Sequence, residues 1–332
     1  MKTGVLLVNL GTPKSYDPKV VKSYLEEFLL DPYVIDIPWV LRWLLVRCVI
    51  VPLRYKKTAK LYESIWSKEG SPLMTNSLCL MKKLQESLGE DFVVDIAMRY
   101  HDRKIEEGVN SLINKGVEKI IFVPLFPQFA NATSGSIFAE IEKLKNKYKF
   151  TKSFEFIKSY PTQNDMIQAY ADRINEMDVK NYDHIVLSFH GLPVRHLKKI
   201  DNRCYEKECC SRDNVSDCYR KQCYETARSI IKLIDRDEND FTISFQSRLG
   251  SDPWIKPFTQ ETLNNLLIQG KKKILVACPS FVSDCIETLC EIEKEYKEEF
   301  LHSGGEKLDL VPSLNDHPKW IEGLKRLILT FD

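Results

Sequence analysis

Eight short runs of β-branched and aromatic residues, each followed by a stretch of helical periodicity, constrain this chain more than any other feature. They fall at 4–9 (GVLLVN), 92–97 (FVVDIA), 119–124 (KIIFVP) and 154–158 (FEFIK), and again at 184–189 (HIVLSF), 241–246 (FTISFQ), 273–278 (KILVAC) and 307–311 (KLDLV). Apolar runs this short and continuous read as strands covered on both faces, and helices interleaved between them make the sheets parallel. Helical patterns at 74–88, 103–115, 163–178, 214–235 and 283–300 supply the crossovers. Four strands in each half predict an α/β fold of two similar doubly wound domains, each a four-stranded parallel sheet flanked by helices. The expected first domain is 1–160, with an apolar lip at 34–53, and the second is 161–315, with a Cys-rich insert at 201–223. Residues 316–332 are expected to form a helix packing on the first domain, and a ligand cleft is expected between the domains.

Length and charge narrow the function. A chain of 332 residues is long enough for two such cores. A formal net charge of +1 argues against nucleic acid as a partner, because duplex binders carry a strong basic excess. Met1-Lys2-Thr3 runs straight into the first strand without a signal-peptide pattern, so the ten cysteines are expected in a reducing cytoplasm. The apolar stretch from Val34 to Leu53 is interrupted by Pro38 and Pro52 and carries Arg42 and Arg47, leaving a helix of at most 13 residues. A membrane span needs about 20. With Trp39, Leu41, Trp43, Leu44 and Leu45, this stretch reads as a core helix, a pocket lip or an element lying against a membrane surface.

Open parallel sheets carry their chemistry at the C-terminal ends of the strands. The run LSFHGLP (187–193) puts His190 at such an end and then breaks with Gly191 and Pro193. The exit after 119–124 reaches Thr133-Ser134-Gly135-Ser136, hydroxyls at a helix start that suit a carboxylate or phosphate as well as a plain N-cap. After 273–278 come Asp284, Glu287 and Glu291, spaced i, i+3, i+7 and expected on one helix face. A neutral imidazole opposite a file of carboxylates suits delivery of a divalent metal and removal of protons. Neither a Walker loop, GxGxxG nor GxSxG is present, so nucleotide binding and serine-hydrolase chemistry lack support.

Cys204, Cys209, Cys210, Cys218 and Cys223 place five thiols in twenty residues among charged neighbours. Four of these five are expected to bind zinc or an iron–sulfur cluster, and the absence of a CxxC pair favours the cluster.

Six segments in order, LLVNLGTP (6–13), IWSKEGSPL (65–73), FPQFANATSGS (126–136), LSFHGLP, FQSRLGSDPW (245–254) and FVSDCIETL (281–289), resemble the successive motifs of the ferrochelatase family. The resemblance implies a lyase-type enzyme that inserts Fe2+ into protoporphyrin IX or a related porphyrin, such as coproporphyrin, with Fe2+ as substrate. It makes His190 the pyrrole proton acceptor or a metal ligand, with Glu287 as its partner across the macrocycle and Glu291 continuing the acidic path beside Asp284. The 34–53 stretch resembles the family's apolar active-site lip. Arg54, Tyr62, Ser71, Arg99 and Tyr100 match segments that touch porphyrin, and Ser134 and Phe245, inside two matched motifs, join the substrate-binding set. The Cys204–Cys223 insert is absent from many members, but some bacterial ones carry internal cysteine clusters assigned to [2Fe–2S]. A structural Zn2+ is the alternative. The loop Gly250-Ser251-Asp252-Pro253 departs modestly from the family's commoner form.

The expected setting is cytoplasmic, as a monomer or homodimer, with peripheral contact to the inner membrane face through the lip. The competing readings are a chelatase for another tetrapyrrole and metal, and a non-catalytic haem- or metal-binding protein. A zinc-stabilised nucleic-acid module does not compete: residues 195–221 hold eight Lys/Arg against five Asp/Glu, too small an excess.

Overall fold

The run GVLLVN forms β1 (Thr3–Asn9), every residue of which is buried, as a strand covered by helices on both faces must be. A computed structural model describes residues 2–148, 153–205, 210, 217–248, 250 and 252–331. Two units emerge from it: the first comprises 1–126, 130–159 and 321–332, the second 127–129 and 160–320.

In the first unit, β1 pairs in parallel with β2 (Phe92–Met98) and β3 (Lys119–Pro124), and β4 (Ser153–Phe156) adds to β3, giving the order β2-β1-β3-β4. Local chemistry starts the connecting helices. In α1 (Pro18–Leu29) the Asp17 carboxylate accepts from Lys19 N and proline occupies the first position. Before α4 (Pro72–Leu88), Ser71 does the same for Met74 N. Between them, α2 (Trp39–Leu44) and α3 (Val51–Ile65) carry the lip. Leu6, Val8 and Phe122 pack with Ile105 and Val109 of α5 (Ile105–Asn114) and Ile137 and Ile141 of α6 (Ser136–Tyr148). Each such side chain, fully buried, contributes about 1.5–3 kcal/mol.

The second unit repeats the order. After α7 (Asn164–Asn175), β5 (His184–His190) pairs in parallel with β6 (Phe241–Gln246) and β7 (Lys273–Ala277), and β8 (Lys307–Leu310) adds to β7, giving β6-β5-β7-β8. Its helices are α8 (Val194–Lys198), α9 (Tyr219–Ile231), α10 (Thr259–Ile268) and α11 (Lys297–His302). The last helix, α12 (Pro318–Leu329), ends near Lys119, whose ammonium reaches the Phe331 carbonyl. Because β5 sits where the strand order reverses, His190 at its C-terminal end occupies the position where such sheets bind ligands.

Two local expectations are corrected. Pro52 does not end a helix: α2 continues through a π-helical segment, Leu45–Ile50, into α3, with Pro52 in the first turn of α3. The i→i+5 pattern of the π segment takes up the break in the ladder that a missing N–H makes. The acidic row, expected on one α-helical face, is split. Asp284 precedes the helix in the strand exit, whereas Glu287 and Glu291 lie on a second π-helical segment, Glu287–Tyr296.

Candidate active site

His190 is half-buried at the end of β5, and every contact around it constrains the ring. Its main-chain N donates to Ser280 Oγ at 2.9 Å and its carbonyl accepts from the Tyr219 hydroxyl at 2.8 Å. Nδ1 lies 2.6 Å from the Gly191 carbonyl. A carbonyl only accepts, so Nδ1 carries the hydrogen and the neutral ring keeps its lone pair on Nε2. The ring packs edge-on to Phe281 at 6.1 Å between centroids. The glycine after it is required by close approach, since a Cβ on Gly191 would fall 2.6 Å from the Gln246 carbonyl oxygen.

The three acids sit in different environments. Asp284 is buried and accepts from Asn315 Nδ2 at 2.7 Å, Ser313 N at 3.2 Å and Thr288 Oγ1 at 3.2 Å, so it ties the β7 exit to the β8 exit. Glu287 opens the π segment half-buried, with the Cys285 thiol against it. Burial and this carboxylate together push that thiol up. Glu291 accepts from Ser247 N at 2.8 Å, from Tyr296 Oη at 2.9 Å, from Gln246 Nε2 at 3.2 Å and from Ser247 Oγ. Burial and the Glu291 charge hold the Tyr296 phenol well above its ordinary range, so it remains a donor. Among the described residues no group of three or more His, Cys, Asp or Glu is gathered into a preformed metal cage.

In the first unit, the residues expected at substrate resolve into one buried network and several separate positions. Asp31, at the end of α1, accepts from Arg99 Nη2 at 2.6 Å, Ser136 Oγ at 2.7 Å and Tyr100 Oη at 2.9 Å. Arg99 also donates from Nε to Ser136 Oγ at 2.7 Å. Tyr100 is 1% exposed, and burial with the Asp31 carboxylate pushes its phenol up. Its hydroxyl is therefore spent on the network. Phe245, in the second unit, is also 1% exposed and is packed by Phe189 and Tyr224. Gly11 of the LGTP motif, at φ +128°, lies so close to the Tyr100 backbone that a Cβ would meet its carbonyl oxygen at 2.4 Å.

Arg54 is exposed on α3. Tyr62 is buried against Tyr24 and Trp66, and Ser71 is the buried N-cap of α4. Ser134 lies in a third π segment, Asn131–Gly135, fully buried and with no hydrogen-bond partner for its Oγ among the described residues. Asp31 and the donors around Glu291 were not singled out from sequence. The lip exposes Trp39 (60%), Leu41 (57%) and Leu53 (79%) over a small core of Leu29, Ile35, Val46 and Val51. No described helix is long and apolar enough to cross a membrane.

The cysteines gather beside α9. Cys204 and Cys218 are buried with their sulfurs 3.3 Å apart. The Cys218 thiol is lowered to about 6, first by a hydrogen bond from Cys210, against burial, and then by the Lys221 main-chain N–H. Arg220 Nη1 lies 3.6 Å from Cys210 Sγ. Cys223 is fully buried on α9, and burial pushes its thiol up. Cys209 lies outside the described residues, as do Leu249 and Ser251 of the loop after β6. Cys204 and Cys210 each lie beside the Cys218 sulfur, and N–H donors face Cys210 and Cys218; these residue types fit a thiolate-bound group without forming a closed ligand set.

Comparison with known proteins bears on the fold and the family. Solved structures of the same fold include SirB from Bacillus subtilis with Fe3+, at a TM-score of 0.58 and 11% identity over 99% of this chain and 95% of that one. A sirohydrochlorin chelatase, SirB from Bacillus subtilis subspecies spizizenii in complex with cobalt, matches at 0.58 and 13% with the same coverage. Ferrochelatase of Bdellovibrio bacteriovorus is 40% identical over 330 residues, covering 98% of each chain. That of Pseudomonas syringae pv. tomato is 42% identical over 332 residues, covering 97% of this chain and 96% of that protein, and that of Legionella pneumophila strain Paris is 40% identical over 99% of both. The sequence model of the ferrochelatase family matches residues 2–331. A strand-end histidine with no partner for its Nε2 among the described residues, in the same unit as a π-helical turn bearing two glutamates, sits in a chain that belongs to the ferrochelatase family.

Proposed function

We propose that this chain inserts Fe2+ into protoporphyrin IX or a related porphyrin, forming haem and releasing two protons. The observation that carries the reading is the His190 tautomer: Nδ1 is committed to the Gly191 carbonyl, which leaves Nε2 as an acceptor at a sheet's ligand-binding end. Insertion replaces two pyrrole N–H bonds with metal–nitrogen bonds, so both protons need an acceptor while the metal sheds water. His190 supplies the imidazole. Glu287 and Glu291 supply carboxylates that attract the cation and carry protons outward, and Asp284 fixes where their helix begins. Arg54, Tyr62, Ser71, Arg99, Tyr100, Ser134 and Phe245 are proposed for the porphyrin side. Anaerobic Fe2+ with protoporphyrin IX, coproporphyrin III or sirohydrochlorin in turn tests the reading through the absorption change on insertion. Multiple turnovers with a porphyrin are expected. Turnover of sirohydrochlorin alone, or uptake stopping at one equivalent, overturns it.

We also propose that four of Cys204, Cys209, Cys210, Cys218 and Cys223 hold a [2Fe–2S] cluster or a structural Zn2+. The Cys204 and Cys210 thiols beside Cys218 support this. When bound, a cluster would supply one-electron redox chemistry, and either group would link the turn at Cys204 to the start of α9. Visible charge-transfer bands in anaerobically purified protein are expected for the cluster, whereas a colourless protein containing one zinc selects the metal ion. The exposed lip is proposed to rest on a membrane surface. Co-sedimentation with lipid vesicles that is lost in Trp39→Ser/Leu53→Ser tests this, and equal binding by the variant overturns it.

A further inference from the structure

Gln246 is the last residue of β6, in register with His190, and is 2% exposed. Its polar groups are committed in three directions. The main-chain carbonyl accepts from Gly191 N at 2.8 Å, directly after the histidine. The side-chain Oε1 accepts from Ser188 Oγ at 2.8 Å and Cys278 Sγ at 3.5 Å. Nε2 therefore faces the acidic segment, where it donates to the Glu287 carbonyl at 2.9 Å and to the Glu291 carboxylate at 3.2 Å. The amide orientation is set from behind, because Ser188 Oγ is 2.8 Å from Thr259 Oγ1, which is 2.9 Å from Ser244 Oγ, all three residues fully buried. An apolar side chain of equal length would fill this space without desolvating an amide. What it would lack is a link from the histidine's strand to the turn that bears both glutamates.

We propose that Gln246 is a positioning residue for metal insertion, setting the placement of the Glu287–Glu291 turn relative to the His190 strand exit. The inference rests on the iron-inserting reading of this site. The link matters because Glu287 and Glu291 ride on a π segment, a backbone form that occurs mostly as short insertions and gains from an outside hold. Gln246→Met keeps the length and removes both donors. Gln246→Glu turns an oxygen toward the Glu287 carbonyl and the Glu291 carboxylate. Ser188→Ala removes the hydroxyl that orients the amide and leaves every group on the acidic side intact.

The experiment measures kcat and porphyrin KM for Fe2+ insertion, normalised to folded protein by circular dichroism. For Gln246→Met the expected result is a fall of about 10–100-fold in kcat, the range seen when a group supporting a metal site is removed. Porphyrin KM is expected within about twofold of wild type, the pattern of an interaction that acts after substrate binding. Gln246→Glu is expected to fall further and Ser188→Ala less. A folded Gln246→Met with wild-type kcat, or one whose loss lies in KM alone, overturns the proposal. If that variant does not fold, Ser188→Ala decides, and unchanged kcat there overturns it. A wild-type protein that inserts no metal sinks the iron-inserting reading instead. Mn2+ binding followed by electron paramagnetic resonance, a probe that carboxylate and imidazole favour over thiolate, then decides the positioning role. Weaker binding in Gln246→Met supports the role, and equal binding overturns it.

Discussion

Asp31 in the first unit and Glu291 in the second are both carboxylates closed in by hydrogen-bond donors, but the donors differ in charge. Asp31 is met by the Arg99 guanidinium at 2.6 Å, with Ser136, Tyr100 and the Tyr33 main-chain N–H around it. Glu291 is met by a main-chain N–H, a serine, a tyrosine and an amide, all neutral. Neutral donors satisfy the lone pairs without cancelling the charge, so Glu291 still projects a field that a divalent cation can answer. Asp31 has already been answered by its own protein. Two sheets of the same strand order thus set their carboxylates differently, one answered by a cation of the fold and one left with the charge that the proposed chemistry uses.

Breaking the chemical side at its centre should have the largest effect. His190→Ala is expected to lower kcat about 10³-fold, the middle of the range for loss of a positioned proton acceptor, while porphyrin still binds. Stopped-flow insertion and fluorescence titration measure the two separately. Asp31→Ala leaves the mostly buried Arg99 to answer its charge on the longer approach to Glu140 at 3.9 Å. It is expected to cost about 3 kcal/mol of folding stability in urea denaturation, and Arg99→Leu/Asp31→Leu should recover part of that loss. Glu291→Gln sharpens the contrast. It faces an N–H₂ toward existing donors, costing about 1 kcal/mol of stability, yet is expected to slow insertion about tenfold because the charge is gone. A Glu291→Gln variant with wild-type rate would mean that its charge is as fully spent as that of Asp31.

The smallest effect separates the two histidines of β5. His184, at the opposite end from His190, is lowered to about 4 by burial, with the Lys271 charge next, while Asp240 opposes. Its folded value lies below the ordinary value near 6.5, so the unfolded chain takes up the proton first as pH falls. Stability from this residue is fully present above about 6.5 and drains as pH falls toward 4. His184→Phe should flatten that part of the stability profile without moving the pH dependence of insertion.

The fold was legible because its signal is local. Eight apolar runs and the helices between them are patterns of neighbouring residues, and each of the eight became a strand within one or two residues of its expected ends. His190 was legible for the same reason, as a strand end followed by Gly191 and Pro193. Asp31 was not, because the side chains that close on it lie 68 to 105 positions away, and its local partner, the Tyr33 main-chain N–H, is that of an ordinary turn. Nor was Gln246: a strand-terminal glutamine looks like an exposed edge until the donors of one neighbour and the acceptors of another are seen on either side. The split of Asp284 from Glu287 and Glu291 was invisible to spacing, since spacing assumes α-helical pitch and the backbone there is π-helical.

That wide turn makes the site unusually sensitive to chain length. A single residue removed between Glu287 and Glu291 would let the segment relax to ordinary α-helix, where each residue advances about 100° around the axis. The tighter pitch would itself part Tyr296 from Glu291, because residues five apart share a face in a π-helix and not in an α-helix, although no residue had changed its type. Homologues or designed variants aligned with a one-residue gap here therefore describe a different site, however closely the letters on either side agree.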